Sequence, residues 1–304
     1  MGSNGHQATK RRLDLPTLLR GRRPVAFVLS GGGSLGAIQV GMLRALIDAG
    51  IRPDMLVGTS VGAVNAAWIA DCPDGEGVNR LAEIWTALRR ENVFPLGWTA
   101  AMGLLGRGNH LIPNGALRRV LERHLYERLE QAHVPVHVVT TDLRSGEAVV
   151  LSSGPTVPAL LASCAIPGVF PPVRIGGREL VDGGVANHTP IAAAVELGAR
   201  IIYVLPVGYP WLHEEPANAL GMALQALARM VEQRQEAEIA GYRDVADIRV
   251  VPAIEPLAVS PADFSRTREL IERGHSSANR LVQSKRRVLL EVATKARRVP
   301  AHAA

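Results

Sequence analysis

Cysteine is nearly absent from this chain: Cys72 and Cys164 are the two among 304 residues. That is too few for a disulfide framework and points to a reducing cytoplasm. Neither has metal-ligand residues around it, so both read as small apolar residues and no metal is expected. Long apolar runs are missing as well. No stretch reaches the roughly 18 uninterrupted apolar residues of a membrane span, and the longest, near Met55–Ala70, is broken by Gly58, Thr59, Ser60 and Asn65. The N-terminus has basic residues with no apolar core behind them, which excludes a secretory signal. His6 stands where N-myristoylation needs Ser or Thr. The last absence is a catalytic histidine motif: 9 histidines are present, and none stands in one.

Glycine and basic charge are what the chain has. Gly 30, Pro 20 and an apolar fraction of 47% fit a globular protein with many turns. The net charge of +6 gathers at the ends. Before Val25 lie Lys10, Arg11, Arg12, Arg20, Arg22 and Arg23 against Asp14, and the other end carries Lys285, Arg286, Arg287, Lys295, Arg297 and Arg298 against Glu291. Such ends suit anionic lipid headgroups, or are solvated tails. No aromatics interleave with them, so no nucleic-acid partner is expected. The sequence is silent on oligomeric state.

Residues 1–23 read as a flexible basic arm and 24–304 as one domain. Val25–Ser30 is a short apolar strand, and Ala37–Ala49 a helix with Ile38, Met42, Leu43 and Leu46 on one face and Gly50 as its C-cap. Met55–Thr59 and Val61–Ala70 repeat the pattern. Two strand–turn–helix units in fifty residues predict a parallel sheet covered by helices. Further helices are expected over Arg80–Arg90, Gly115–Glu130, Thr156–Cys164, Pro190–Leu197, Asn218–Tyr242 and Asp263–Arg298. Further strands are expected at Val134–Thr141, Ala148–Ser152, Leu180–Val181, Arg200–Leu205 and Ile248–Val251. Phe94–Pro113 holds Trp98, Met102, Leu104 and Leu105 among four glycines without a clean period. It reads as a lid over a site or as an ordinary surface loop.

Three turns carry chemistry. Gly58-Thr59-Ser60-Val61-Gly62 puts a serine between a strand and a helix, where the helix N-terminus favours developing negative charge. Gly31-Gly32-Gly33-Ser34-Leu35-Gly36 can turn its N–H groups toward an oxyanion, each such donor being worth on the order of 3 kcal/mol. Gly31, Gly33 and Gly36 also spell a dinucleotide fingerprint, which needs an acidic residue ending the second strand. That strand ends in Gly-Thr-Ser, and Asp54 lies before it. Asp182, followed by Gly183 and Gly184, ends a strand on the same sheet edge as Ser60. It is a base for the serine if partly desolvated, or simply a turn residue. His188 offers a Ser–His–Asp alternative, whereas His124, His133 and His137 read as helix or strand positions.

These elements in this order resemble the patatin-like phospholipase family, bacterial type. Ala162-Ser163-Cys164-Ala165-Ile166-Pro167, Phe170-Pro171-Pro172, Asn187 and Pro190 add to the likeness, which covers about residues 25–205. A helical continuation follows. The resemblance implies a three-layer α/β/α sandwich with a mostly parallel central sheet. It also implies a Ser60–Asp182 dyad without histidine, and an oxyanion bound by N–H groups of Gly31, Gly32, Gly33 and Val61, with Gly36, Gly58, Gly62, Gly183 and Gly184 as motif glycines. The expected activity is hydrolysis of lipid carboxylic esters through an acyl-enzyme, with no cofactor and with peripheral membrane contact. The rival readings are a catalytically silent lipid-binding protein and a dinucleotide-dependent oxidoreductase. Leu35 departs from the family, many of whose members carry Arg or Lys there.

Overall fold

The computed structural model describes residues 23–95, 110–208, 219–254 and 259–297. The basic arm up to residue 22, and 96–109 of the Phe94–Pro113 segment, lie outside the described residues.

Among the described residues eight strands form one sheet: β1 (Val25–Leu29), β2 (Met55–Thr59), β3 (Val136–Asp142), β4 (Ala148–Leu151), β5 (Val173–Ile175), β6 (Arg178–Asp182), β7 (Ile201–Leu205) and β8 (Asp247–Val250). β3–β2, β2–β1, β1–β7 and β7–β8 pair in parallel, while β4 and β6 run antiparallel to β3, and β5 antiparallel to β6. The sheet is thus mostly parallel, as expected. Its central strands are apolar on both faces, because helices cover both. Alternate residues divide between two cores. Phe27, Leu29, Leu56, Tyr203 and Leu205 face one, and Ala26, Val28, Val57, Ile202 and Val204 the other.

The helices are α1 (Gly36–Asp48), α2 (Val61–Ala70), α3 (Gly75–Ala87), α4 (Arg90–Val93), α5 (Gly115–His124), α6 (Thr156–Ser163), α7 (Ile191–Glu196), α8 (Ala219–Tyr242) and α9 (Thr267–Arg297). The first core is capped by α1, α2, α3 and α9, through Ile38, Met42, Ala66, Leu81, Trp85, Leu270 and Ile271. The second is capped by α7 and α8, through Ile191, Ala194 and Ile239. Three layers result.

Several expected boundaries shift, each for a local reason. The helix expected at Arg80–Arg90 begins at Gly75, where Asp74 accepts the Gly77 N–H (3.0 Å) as an N-cap. The helix expected over Gly115–Glu130 stops at His124. Beyond it Glu127 and Leu129 pair their backbone with Thr156 and Gly154 (both 2.9 Å), and tertiary bonding overrides helix propensity. Sequence reading also missed β5 and the start of β6, a short hairpin turned by Gly176 and Gly177 at φ 57° and 79°.

The C-terminal helix is fastened to the core backbone-to-backbone. A Cβ placed on Gly41 of α1 would lie 1.9 Å from the Ile271 carbonyl oxygen, and one on Gly274 of α9 2.1 Å from that of Ile38. Glycine at both positions lets the two helices approach this closely.

Candidate active site

Ser60 is the one non-glycine among the described residues with positive φ, at 54°. Holding an L-residue there costs about 1–3 kcal/mol. The turn is tight enough to exclude side chains on either side. A Cβ on Gly58 would meet Ala63 at 2.5 Å, and one on Gly62 would meet the Leu29 carbonyl oxygen at 2.3 Å. The Ser60 N–H donates to Ser163 Oγ (2.8 Å), which donates onward to the Val139 carbonyl (2.6 Å). The Ser60 carbonyl accepts from Ala63 (2.9 Å) and starts α2.

Strand pairing brings Asp182 to this turn. Residues 138–141 of β3 pair with β4, so β2, which pairs with 136–139, occupies the opposite edge. β6 pairs with 140–142 and therefore lies on that same edge as β2, entering from the other end. Thr59 sits opposite Val139 and Asp182 opposite Thr140, so the two strands end facing each other. Gly183 is pressed into the junction, where a Cβ would be 2.3 Å from the Val139 oxygen. The end of α6 and the residues just after it fasten both halves. Ser163 holds Ser60 as above, and the Ala165 carbonyl accepts the Asp182 N–H (2.9 Å). Asp182 is buried, which pushes its carboxyl up to about 6. The Gly184 N–H on Oδ1 (2.7 Å) and hydrogen bonding with the Ser60 hydroxyl pull the other way.

The glycine loop lies against the serine: a Cβ on Gly31 would be 3.4 Å from Ser60 Cβ. Gly32 and Gly33 adopt φ 146° and 60°, and Val207 and Pro261 leave neither room for a side chain. One expectation is corrected here. The Gly31 N–H donates to the His188 carbonyl (3.2 Å), because the loop's first residue is still tied to the chain after Asp182. Gly31 is therefore spent as a donor. The N–H groups of Gly32, Gly33 and Val61 have no acceptor among the described residues.

A buried polar network behind the loop was missed by sequence reading. Gln39 Nε2 donates to the carbonyls of Ser30 (2.9 Å) and Leu205 (3.0 Å). Asn65 Nδ2 donates to Gln39 Oε1 and the Gly36 carbonyl (both 2.9 Å), and Asn65 Oδ1 accepts from Trp85 Nε1 (2.8 Å). Every polar atom of the two amides is used, which ties both ends of the glycine loop to α2. The available signal was two amides on the largely apolar first turns of their helices, each about one turn past a glycine motif.

The histidines divide. His188 is half-buried, its ring packed against the loop with a Cβ on Gly31 falling 3.2 Å from its Nε2, and desolvation of the ring lowers its pKa to about 4, leaving it neutral. His137 is in β3 and is also lowered to about 4 by burial, His124 ends α5, and His133 lies in an exposed turn rather than in a strand. Asp54 holds the start of β1, its carboxylate accepting the Val25 N–H (2.8 Å). A narrow apolar slot of about 60 Å³ opens beside Ser60, walled by Val61, Val64, Trp68, Cys164, Phe170 and Phe264. Burial and the nearby Asp182 charge push the Cys164 thiol up, so it stays protonated. No helix among the described residues is long and apolar enough to cross a membrane.

A strained serine on a strand-to-helix turn, in a sheet layered between helices, defines an α/β protein of the nucleophile-elbow class. Residues 27–195 match the profile described as patatin-like phospholipase, and the chain belongs to that family. It is 31% identical over 187 residues to patatin-like phospholipase domain-containing protein ZK370.4 of Caenorhabditis elegans, covering 60% of this chain and 14% of that protein. It is 29% identical over 189 residues to patatin-like phospholipase domain-containing protein 7 of Rattus norvegicus, again 60% of this chain and 14% of the relative. The chain thus spans a small part of the length of these relatives. Among solved structures, human GIVD cytosolic phospholipase A2 aligns with a TM-score of 0.49 at 13% identity, covering 88% of this chain and 59% of that one. VipD from Legionella pneumophila aligns at 0.45 and 15%, covering 86% and 67%.

Proposed function

We propose that the chain is a serine acyl hydrolase cleaving carboxylic esters of lipids through a Ser60–Asp182 dyad. The observation that carries this reading is the meeting of Ser60, strained at φ 54°, with a buried carboxyl whose pKa is raised to about 6. A carboxyl so raised is a far better base near neutrality than a free aspartate, yet it is mostly ionised at pH 7.

In the first half-reaction Asp182 takes the Ser60 proton as Oγ bonds to the acyl carbon. The oxyanion formed is met by the N–H groups of Gly32, Gly33 and Val61. Collapse expels the alcohol, which leaves with the proton held by Asp182. In the second half, water adds to the acyl-enzyme, again giving its proton to Asp182. Collapse then releases the acid and returns the proton to Ser60. The apolar slot receives the acyl chain. Leu35 is buried in the core rather than presenting a charge, which favours substrates with little negative charge beside the loop. Val185, exposed one residue past Gly184, would be an apolar point of contact with a membrane surface.

Hydrolysis of p-nitrophenyl esters by the unmodified chain, lost in both Ser60→Ala and Asp182→Asn, supports the assignment. Turnover that survives either change refutes the dyad. A folded chain that binds lipid with no turnover would favour the silent binding protein.

A further inference from the structure

The family match ends at residue 195, yet a segment far beyond it reaches back into the site. Ser34, inside the glycine loop, donates its N–H to the Pro261 carbonyl (2.7 Å) and its hydroxyl to the Ser260 carbonyl (3.0 Å). The same strap lies over Gly33, where a Cβ would be 2.5 Å from the Pro261 oxygen. Three residues later Phe264 is buried between rings. It stacks on Trp85 at 6.1 Å and tilts against Phe94 at 6.4 Å, and Phe94 in turn stacks on Phe170 at 5.6 Å.

Phe264 has a second neighbour. It also lines an open groove of about 1110 Å³, whose walls include Thr86, Arg90, Asp263 and Arg268. Phe264 is the one described residue that lines both this groove and the slot beside Ser60. The slot's volume, about 60 Å³, is far below the roughly 300–1,000 Å³ of a pocket that encloses a drug-sized ligand. A large aromatic side chain therefore stands between a small apolar space at the nucleophile and a much larger groove whose walls carry Arg90, Asp263 and Arg268.

We propose that Phe264, held by the strap over the glycine loop, is the specificity residue that limits acyl-chain length. Its ring closes the slot to long chains, so the unmodified protein favours short acyl groups. Removing the ring joins slot to groove and admits long ones. The inference rests on Ser60 being the nucleophile, and the strap ties it to the same loop that would bind the oxyanion. Chain-length choice and loop geometry thus come from a segment outside the family's matched region.

The test is the rate at which ethyl and dodecyl fluorophosphonates label Ser60 in the unmodified protein, Phe264→Ala and Phe264→Leu. In each the fluorophosphonate phosphorus bonds to Ser60 Oγ and fluoride leaves. The dodecyl-to-ethyl ratio should favour ethyl in the unmodified protein, rise about tenfold or more in Phe264→Ala, and rise less in Phe264→Leu. Because both rates are read in the same sample, a partly unfolded variant leaves the ratio intact, and the leucine variant keeps most of the packing. A ratio unchanged in both variants, or a dodecyl preference in the unmodified protein, overturns the proposal while leaving Ser60 as nucleophile. No labelling of Ser60 by either probe refutes the hydrolase reading itself.

Discussion

Ser60 and Asp182 stand at the facing ends of two strands that share one edge of a third. β2 arrives from one side and stops at Thr59 opposite Val139, and β6 arrives from the other and stops at Asp182 opposite Thr140. One strand, β3, therefore sets their separation, and residues 163–165 lock it by bonding to both backbones. The proposed dyad, if it acts through these two residues, would need no mobile third residue to align it.

The strain at Ser60 has a measurable counterpart. Ser60→Gly removes the penalty of φ 54° and is expected to raise stability by about 1 kcal/mol while abolishing ester turnover. Ser60→Ala abolishes turnover without that gain. Urea unfolding of the two variants side by side checks it, and equal midpoints would contradict a strained turn.

Asp182 links activity and stability to pH in opposite senses. Its carboxyl holds a proton more tightly in the folded chain, at about 6, than at the ordinary 3.8. Stability is therefore greatest below the lower value, falls as pH rises through this window, and is flat above it. Ester turnover, which needs the ionised form, should rise over the same range with a midpoint near pH 6. Asp182→Asn should be inactive and, above that midpoint, more stable by roughly 2–3 kcal/mol, an advantage that vanishes toward pH 4. Thermal melts across pH read the crossover.

The amide network predicts a remote effect. Asn65→Ala strands Trp85 Nε1 and Gln39 Oε1 in the core and should destabilise the chain by about 2–4 kcal/mol. Gln39→Leu, which frees the Ser30 and Leu205 carbonyls, should lower kcat more than it raises KM, because it loosens the glycine loop. A KM effect alone would assign the network to folding only.

How much of this was legible varied with the physics involved. The parallel strands and the helices after them announced themselves through apolar runs ending in glycine. Ser60, Asp182 and their glycines sat in motifs whose geometry follows from needing no side chain. Gln39 and Asn65 did not, and Ser163 sat in a matching run with no role attached, because a buried amide or hydroxyl looks like any polar residue until its partners are in place. The loss of Gly31 as a donor depended on a backbone bond to His188, more than a hundred residues away. The early end of α5 and the reach of the Val259–Thr267 strap were likewise long-range effects with no local signature.

The C-terminal helix offers a test of that last point. Gly41→Ala forces a Cβ into the Ile271 carbonyl, so α9 must move away, at a cost of about 3 kcal/mol or more. Turnover should fall with it, since the strap leads directly into α9. Full stability in this variant would mean that the two helices are not so tightly joined.

His188 provides the sharpest alternative, as a neutral ring packed on the loop beside Ser60 and Gly184. The most direct measurement is peptide mapping of the fluorophosphonate adduct in the unmodified chain, His188→Ala and Asp182→Asn. A dyad predicts a single adduct on Ser60, formed in His188→Ala within about tenfold of the unmodified rate and slowed at least a hundredfold in Asp182→Asn. An adduct on any other residue, or labelling lost with His188 and kept without the Asp182 carboxylate, would contradict the account.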